Sequence, residues 1–461
     1  MDEPTTLSAE NAQTRRARVS ARLDRLPVWG LSPLVYVVLG LCYLLCFYDI
    51  SVIGVTLPSI TASLHLTGSG EQLPIIWNLV GYMVGAFGLG NVADRLGRRR
   101  TLAIVVVVLT VAAVLTAFSQ NAVELAIFRF IAGIGIGAQI TLSATLIGEF
   151  APAPKRGRYI ALNIVWASVG NMLPAVVGVG LLGGTGDTGW RVMLGLVGLV
   201  IFTLFLFRDR MLPESPRWLA AHGDLEKAER LVDEMEQRVQ RKTGTELPGV
   251  PDLPADEEVA GFPTAALLRR PYLPRTLVVL GFWFALYFAI YAFLGYQTTL
   301  IGKLSSSLPS AVLITAVGFA GGVLGAAVQP LFIDRIERKH NVMMGLGVFA
   351  VGFVLLAVAS GAVLVTAGSF LASMGLYFTL VPAYTYTAEV FPTRARGAAM
   401  GVGDGLGHAG GAIQPLAVVP LLAAAGPRPV FWMMAAAVVV AGLIMTAGMR
   451  TNRRPLTELA Q

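Results

Sequence analysis

One carboxylate, Asp49, sits inside the apolar run LCYLLCFYDISVIGVTLP. At the centre of a membrane helix a charged, unpaired aspartate costs about 2.5–3.5 kcal/mol on insertion scales. It must therefore face a cavity or have a partner. Desolvation favours the protonated form of a carboxyl and a nearby cation favours the ionised form. Exchange between such environments couples a proton to solute movement. The alternative is a structural hydrogen bonder that never titrates. Arg129, in FRFIAGIGIGAQ, is the matching cation. Its run leads inward, which puts Arg129 in the outer half at a depth comparable to Asp49. Each group would make the other's burial tolerable; otherwise Arg129 snorkels to the outer headgroups.

Asp404 and His408 form a second constellation, in GVGDGLGHAGGAIQP. Four residues apart, they share a helix face, and the glycines allow close helix approach. Such a pair can relay protons or touch a substrate, or be a satisfied structural pair near the inner gate. Polar and aromatic residues inside other apolar runs are candidates for a binding cavity. In the first half of the chain these are Asn78, Tyr82, Gln139, Asn163, Trp166 and Asn171. In the second they are Trp283, Tyr287, Tyr291, Gln297, Gln329, Tyr384 and Gln414. Any one of them can equally pack at a helix interface; as a set they point to an aromatic-lined site at mid-membrane.

A third group lies in loops. GNVADRLGRRR places Asp94, Arg95, Arg98, Arg99 and Arg100 between two nearly uncharged stretches. Asp94-Arg95 recurs as Asp334-Arg335, Glu149 as Glu389, and Arg156-Gly157 as Arg396-Gly397, each 240 residues on. One shared offset at separate landmarks means two halves of equal span number and parallel orientation. Arginines alone would set orientation. The repeated acids favour a charge network that holds the cytoplasmic ends together, a bistable element. Its candidate members are Gly90, Asp94, Arg95, Gly97, Arg98, Arg99, Glu149, Arg156, Glu214 and Arg217. In the second half they are Asp334, Arg335, Arg338, Glu389 and Arg396.

The elements that position these residues must be membrane helices. The 461 residues are 55% hydrophobic and 14% charged, against about 25% charged in soluble domains. The apolar runs reach about 20 residues, enough to cross a bilayer as helices. Twelve runs qualify: about 33–57, 73–93, 101–119, 123–148, 159–183, 190–209, 273–298, 308–331, 341–359, 361–387, 398–423 and 428–448. They are spans 1 to 12 below. Basic residues concentrate on one side, from Arg15–Arg25 to Arg450–Arg454, which makes that side and both termini cytoplasmic. The chain divides into a cytoplasmic tail (1–30), a six-helix bundle (31–210), a cytoplasmic central loop (211–272), a second bundle (273–449) and a C-terminal tail (450–461). The N-terminal segment has no apolar h-region beside its basic residues and reads as a flexible tail. ESPRWLAAHGDLEKAERLVDEMEQRVQRK in the central loop reads as a short amphipathic helical segment. Cys42 and Cys46 share one helix face in an apolar run and are free thiols rather than a disulfide framework.

Two six-helix halves, a long central loop and these motifs resemble the major facilitator superfamily, from about residue 30 to 450. Gly90-x-x-x-Asp94-Arg95-x-Gly97-Arg98-Arg99-Arg100 is similar to its loop 2–3 motif, and Arg129-x-x-x-Gly133-x-Gly135 to a second motif in helix 4. PESPRWL, GEFAPAPKRGR, AEVFPTRARG and YDISVIGVTLP resemble the sugar-porter and metabolite:proton symporter branch. Departures are Glu337 in place of Gly97, Pro330 in place of Gly90, and a span 7 without the paired glutamines typical of sugar porters, which weighs against a hexose. Gly170-x-x-x-Pro174-x-x-x-Gly178 is only loosely similar to the motif of drug:proton antiporters. The resemblance implies that Asp49 and Arg129 pair for proton coupling, and that Asp94 accepts from the start of span 11.

The expected protein is an all-α membrane protein of twelve helices in two bundles. It moves a small organic solute, such as an organic acid, sugar or related metabolite, by alternating access in symport with protons. An uncoupled facilitator, a proton-antiport exporter and a solute sensor are the alternatives. No enzyme is expected: there is no His/Cys metal cluster, nucleotide-binding loop or activated nucleophile in the sequence, and the glycine run at 133–137 reads as helix packing. The proton gradient is the driving force, with no cofactor or metal. The expected partners are the solute, protons and the lipid bilayer, with no nucleic acid, and the expected state is a monomer in the plasma membrane.

Overall fold

The computed structural model describes residues 4–152, 155–182, 188–207, 211–250, 264–305, 307–333, 335–391 and 393–451, leaving aside the side chains of 4–12, 90, 91, 156, 157, 160, 393, 394 and 396. It contains 12 helices long and apolar enough to cross a membrane. The first six are Pro33–Ser63, Ser69–Leu96, Arg98–Ala117, Ala122–Phe150, Ala161–Leu181 and Gly189–Leu206. The second six are Leu273–Gly302, Leu308–Leu331, Arg338–Val358, Ala362–Glu389, Gly397–Ala425 and Pro427–Thr446. Several run past the apolar windows of the sequence, because a helix that has satisfied its backbone internally can continue into water at little cost. Span 1, for example, extends to Ser63.

Backbone contact at glycine fixes the bundle geometry. Spans 2 and 4 cross where Gly81 and Gly85 face Gly133 and Gly137. A Cβ on Gly133 would stand 2.0 Å from the Asn78 carbonyl oxygen, and one on Gly81 2.1 Å from that of Phe130. This is the small-residue packing of membrane helices, and it accounts for the GIGIG run. Spans 8 and 10 repeat it: a Cβ on Gly321 would meet the Phe370 carbonyl oxygen at 2.2 Å and one on Gly325 that of Met374 at 2.3 Å. The halves meet as span 1 against 7, span 5 against 8 and span 2 against 11. At Gly54 the backbones of spans 1 and 7 are so close that a Cβ would stand 1.9 Å from the Leu294 carbonyl oxygen.

Span 2 ends and span 3 begins at Gly97, whose φ of 97° is open to glycine at little cost. Glu214 of the central loop then caps span 3: its carboxylate accepts from the N–H of Arg98 at 2.9 Å and of Arg99 at 3.2 Å. An anion suits this helix N-terminus. In the second half Glu337 occupies the place of Gly97 and caps span 9 itself, accepting from the His340 N–H at 3.3 Å. The departure noted in the sequence is thus one cap supplied from two different places.

The N-terminal segment is not a flexible tail. Residues Pro4–Asp24 form a helix that docks on the central loop. That loop contains Pro216–Ala221, capped by Ser215, and Leu225–Thr243, capped by Asp224 and closed by Gly244. The second is amphipathic, burying Ala228, Val232, Met235 and Val239, as its pattern predicts. Arg15 bonds Glu229 at 2.7 Å, Arg22 bonds Glu236 at 2.6 Å, Arg25 bonds Glu236 at 2.6 Å, and Arg217 bonds Asp24 at 2.8 Å. Val19, Leu23 and Leu26 bury beside them. The hydropathy of the tail hid this, because its few apolar residues alternate with arginines whose partners lie more than 200 positions away. The Pro-rich piece 251–263 lies outside the described residues.

Three outcomes are expected. The hydrogen bond from Arg15 holds the Glu229 carboxyl below its usual range. Burial pushes Glu236 up, but Arg22 and Arg25 outweigh it and hold it low. Both therefore stabilise docking above the free carboxylate value of about 4.3, and the contribution is lost as pH falls through their lowered values. Amide protection factors in 225–243, corrected for intrinsic exchange, should fall as the pH drops below about 4.3, and Arg22→Ala should loosen the segment already at neutral pH by about 1 kcal/mol. Gly97→Ala should lower the melting temperature in detergent, since the new Cβ lies 2.4 Å from the Glu214 carboxylate and the backbone conformation adds about 1–2 kcal/mol of strain. An unchanged melting curve would contradict this account of the turn.

Candidate functional site

Asp49 and Arg129 form a closed ion pair. Arg129 Nη1 donates to Asp49 Oδ1 at 2.6 Å and Nη2 to the Asp49 carbonyl oxygen at 3.1 Å. Their side chains are 2% and 1% exposed, so the pair is dry and Arg129 does not snorkel. Asn78 is part of the same joint: its Nδ2 donates to the Arg129 carbonyl oxygen at 2.9 Å, tying span 2 to span 4. Among the described residues Asp49 Oδ2 and Arg129 Nε have no hydrogen-bond partner, so the carboxyl group is held through one oxygen.

A cavity lies between the halves at mid-length of the spans. It is lined by Tyr43, Phe47 and Ile50 of span 1, Tyr82 of span 2, Asn171 of span 5, Tyr287 and Tyr291 of span 7, Tyr377 and Tyr384 of span 10, and His408 of span 11, with aliphatic residues between them. Its free space is about 30 Å³, close to one water's share of liquid volume, so the site is shut in this conformation. His408 seals the wall. Its ring stacks on Tyr82 of the opposite half at 4.0 Å between centroids and lies 3.9 Å from Tyr287. Asn171 bridges the halves as well, accepting from Ser51 at 2.5 Å and donating to the Tyr377 hydroxyl.

Span 11 changes character here. Residues Gly401–Leu406 form a π-helical turn between α-helical segments, a feature often found at functional sites. Gly403 and Gly407 let Trp283 lie against its backbone, and Gly405 does the same for Phe87 of span 2. Asp404 is caught by two hydroxyls: that of Tyr287, and that of Tyr384 at 2.8 Å. The expected His–Asp side-chain pair is not formed. His408 Nδ1 lies 2.5 Å from the Asp404 carbonyl oxygen, not its carboxylate, and Nε2 meets the Tyr291 hydroxyl at 3.0 Å. The widened turn carries the carboxylate away from the ring one turn on. A carbonyl only accepts, so Nδ1 carries a proton, and both ring nitrogens have partners.

The other cavity candidates divide. Tyr82, Asn171, Tyr287, Tyr291 and Tyr384 line the cavity. Trp283 lies just beyond, stacked at 5.0 Å on Tyr287 and donating to Thr387 at 2.9 Å. Trp166 packs on Gly40 of span 1. Gln297 ties span 7 to span 10 through Ser369 at 2.6 Å. Gln139, Asn163, Gln329 and Gln414 are buried away from the lining. A polar residue in a membrane span is as often a helix-to-helix tie as a ligand contact. Tyr43 and Tyr377 were missed, although the criterion that selected Tyr82 applies to them; both are tyrosines inside apolar runs.

At the end of the bundle that carries the central loop, the knots are assembled within each half. Arg98 bonds Asp94 at 2.7 Å and Glu149 at 3.4 Å, and Trp218 donates to the Asp94 carbonyl oxygen at 2.8 Å. Asp94, with its side chain 66% exposed, therefore turns to Arg98 rather than to the start of span 11. Arg95 and Arg217 border the same cleft, and Arg217 is held by Asp24. Arg338 bonds Glu389 at 3.2 Å, and Thr451 donates to Glu389 at 2.7 Å. Arg335 is exposed. Asp334, and the side-chain surroundings of Gly90, Arg156 and Arg396, lie outside the described residues. Among the described residues, none of these ion pairs joins the halves; what joins them at this level is Phe87 against Gly401 and Gly405.

Comparison with known proteins agrees with this architecture. A sequence model of the "Sugar (and other) transporter" family matches residues 35–461. The inner membrane metabolite transport protein YdjE of Escherichia coli (strain K12) is 26% identical over 452 residues, covering 96% of this chain and 98% of the relative. The niacin transporter NiaP of Acinetobacter baylyi is 25% identical over 455 residues, covering 95% of this chain and 99% of the relative. Among solved structures, the major facilitator superfamily proton:xylose symporter XylE of E. coli superposes with a TM-score of 0.69 at 23% identity, covering 92% of this chain and 98% of that one. The chain therefore belongs to the sugar (and other) transporter family, and is a membrane transporter of the major facilitator fold rather than an enzyme.

Proposed function

We propose that this transporter is a monomeric proton symporter that carries a small organic solute across the plasma membrane by alternating access, with no cofactor. The observation that carries the reading is the closed aromatic cavity between the halves, set beside a dry ion pair buried in the first half. Solute binds in the cavity; the proton is taken by Asp49. Protonation weakens the hold on Arg129, since a neutral carboxyl accepts a weaker bond from a guanidinium than a carboxylate does. Ser51, two residues from Asp49, is linked through Asn171 to Tyr377 of the other half, a route by which a shift in span 1 reaches the cavity wall. Phe87 and the capped knots at Arg98 and Arg338 form the cytoplasmic gate. Docking of the N-terminal helix on the central loop supports both lying on one side of the membrane, as six intervening spans require, with the basic loops cytoplasmic. The similarity to YdjE, NiaP and XylE, a metabolite transport protein, a niacin transporter and a proton:xylose symporter, supports solute transport of this kind.

Asp49→Asn should abolish accumulation driven by a pH gradient in proteoliposomes while leaving solute counterflow. A variant that still concentrated solute would remove Asp49 from the coupling role. Arg129→Met should lower stability by about 3–5 kcal/mol, the cost of leaving a buried charge unpaired. The double variant Asp49→Asn, Arg129→Met should recover much of that loss in thermal melts without recovering coupled uptake. Recovery of both would make the pair purely structural.

A further inference from the structure

The cavity wall contains no Lys or Arg among the described residues. Arg129, the cation buried in the first half, is engaged by Asp49. Asp404 lies against the wall with its carboxylate held by the hydroxyls of Tyr287 and Tyr384, and among the described residues no cation is paired with it. His408 is engaged at both ring nitrogens, by the Asp404 carbonyl oxygen and the Tyr291 hydroxyl. A solute in the cavity thus meets one carboxyl group, that of Asp404, and no Lys or Arg side chain in the wall.

We propose that the transported solute is an organic cation: an ammonium group on a small apolar body, received among the rings of Tyr43, Tyr82, Tyr287, Tyr291, Tyr377 and Tyr384 and charge-matched by Asp404. This rests on the transporter reading above and names its solute class. The face of an aromatic ring attracts an ammonium within about 6 Å of its centroid, most strongly where water is excluded. Six tyrosines from spans 1, 2, 7 and 10 converge on one small space, and a carboxylate desolvated beside them is stabilised by an opposite charge. Other solute classes fit less well. A carboxylate would meet the like charge of Asp404 and find no cation in the wall. A polyol needs many directed donors and acceptors, yet Gln297, Gln329 and Gln414 lie away from the lining, which is otherwise largely isoleucine and leucine.

The test uses the full-length protein in detergent and a panel matched in shape: choline, its uncharged isostere 3,3-dimethyl-1-butanol, benzyltrimethylammonium, benzoate and D-xylose. Ligand that binds the folded state raises the melting temperature. The ammonium compounds should raise it, and the uncharged isostere should do so far less at equal concentration. Asp404→Asn should weaken ammonium binding about tenfold or more while Asp404→Glu retains it, so that loss in the first cannot be laid to misfolding. The proposal is overturned if benzoate, xylose or the uncharged isostere stabilises as well as the cations, if no ammonium compound stabilises, or if Asp404→Asn binds unchanged. Uptake of labelled choline into proteoliposomes separates the two readings. Ammonium binding without pH-driven accumulation would sink the symporter and leave the cation site standing. PH-driven accumulation of benzoate or xylose instead would do the reverse.

Discussion

A charge carried into a bilayer has to be matched inside the protein, because lipid offers neither water nor counter-ion. This chain places two carboxylates at mid-membrane and matches them differently. Asp49 has a guanidinium from its own half at 2.6 Å. Asp404 has two tyrosine hydroxyls. The first is an ion pair closed within one half. The second stands beside the cavity with no Lys or Arg paired to it among the described residues. Much of the remaining structure follows from placing these two groups: the inward face of span 1, the Asn78 tie behind Arg129, and the π turn that sets Asp404 under the tyrosines.

Glycine supplies the geometry that makes such placement possible. Lipid tails are as apolar as leucine, so membrane helices associate by packing and hydrogen bonds rather than by escape from water. The backbone approach at Gly133 and Gly137 brings spans 2 and 4 together with Arg129 between them and span 1, and Gly321 and Gly325 do the equivalent in the second half. Between the halves the contacts are of another kind. Phe87 rests on Gly405 and Tyr82 stacks on His408, with a hydrogen bond from Asn171 to the Tyr377 hydroxyl beside them. Among the described residues the ion pairs lie within the halves and the contacts between them are mostly ring and glycine packing, an arrangement suited to rigid bundles that rock.

The end of the bundle that carries the central loop shows the same division of labour. Span 3 is capped by Glu214 of the central loop and span 9 by its own Glu337. The first half is thereby fastened to the loop and, through Arg217, Arg22 and Arg25, to the N-terminal helix. The second half is fastened to its own C-terminal residues through Thr451 and Glu389. The repeat seen in the sequence is thus symmetric in its charged residues and asymmetric in what they hold.

The sequence by itself determined the elements. Apolar runs of about 20 residues admit only helices in lipid, the Arg and Lys distribution orders the loops, and one offset at Asp94, Glu149 and Arg156 divides the chain into two halves. It also marked Asp49 and Arg129, since a charge inside an apolar run is visible wherever the chain goes. Tertiary structure alone decided which polar side chains line the cavity. Asn78, Gln297 and Asn171 look alike in the sequence, yet one ties spans 2 and 4, one ties spans 7 and 10, and one faces the site. It also decided that Asp404 and His408 part company at a π turn, and that an arginine-rich tail becomes a docked helix. The reason is physical. Period and hydropathy record how a residue meets its own helix and the solvent. Cavity lining and ion pairing depend on which helix comes to lie opposite, and that partner is chosen by close packing between residues far apart in the chain.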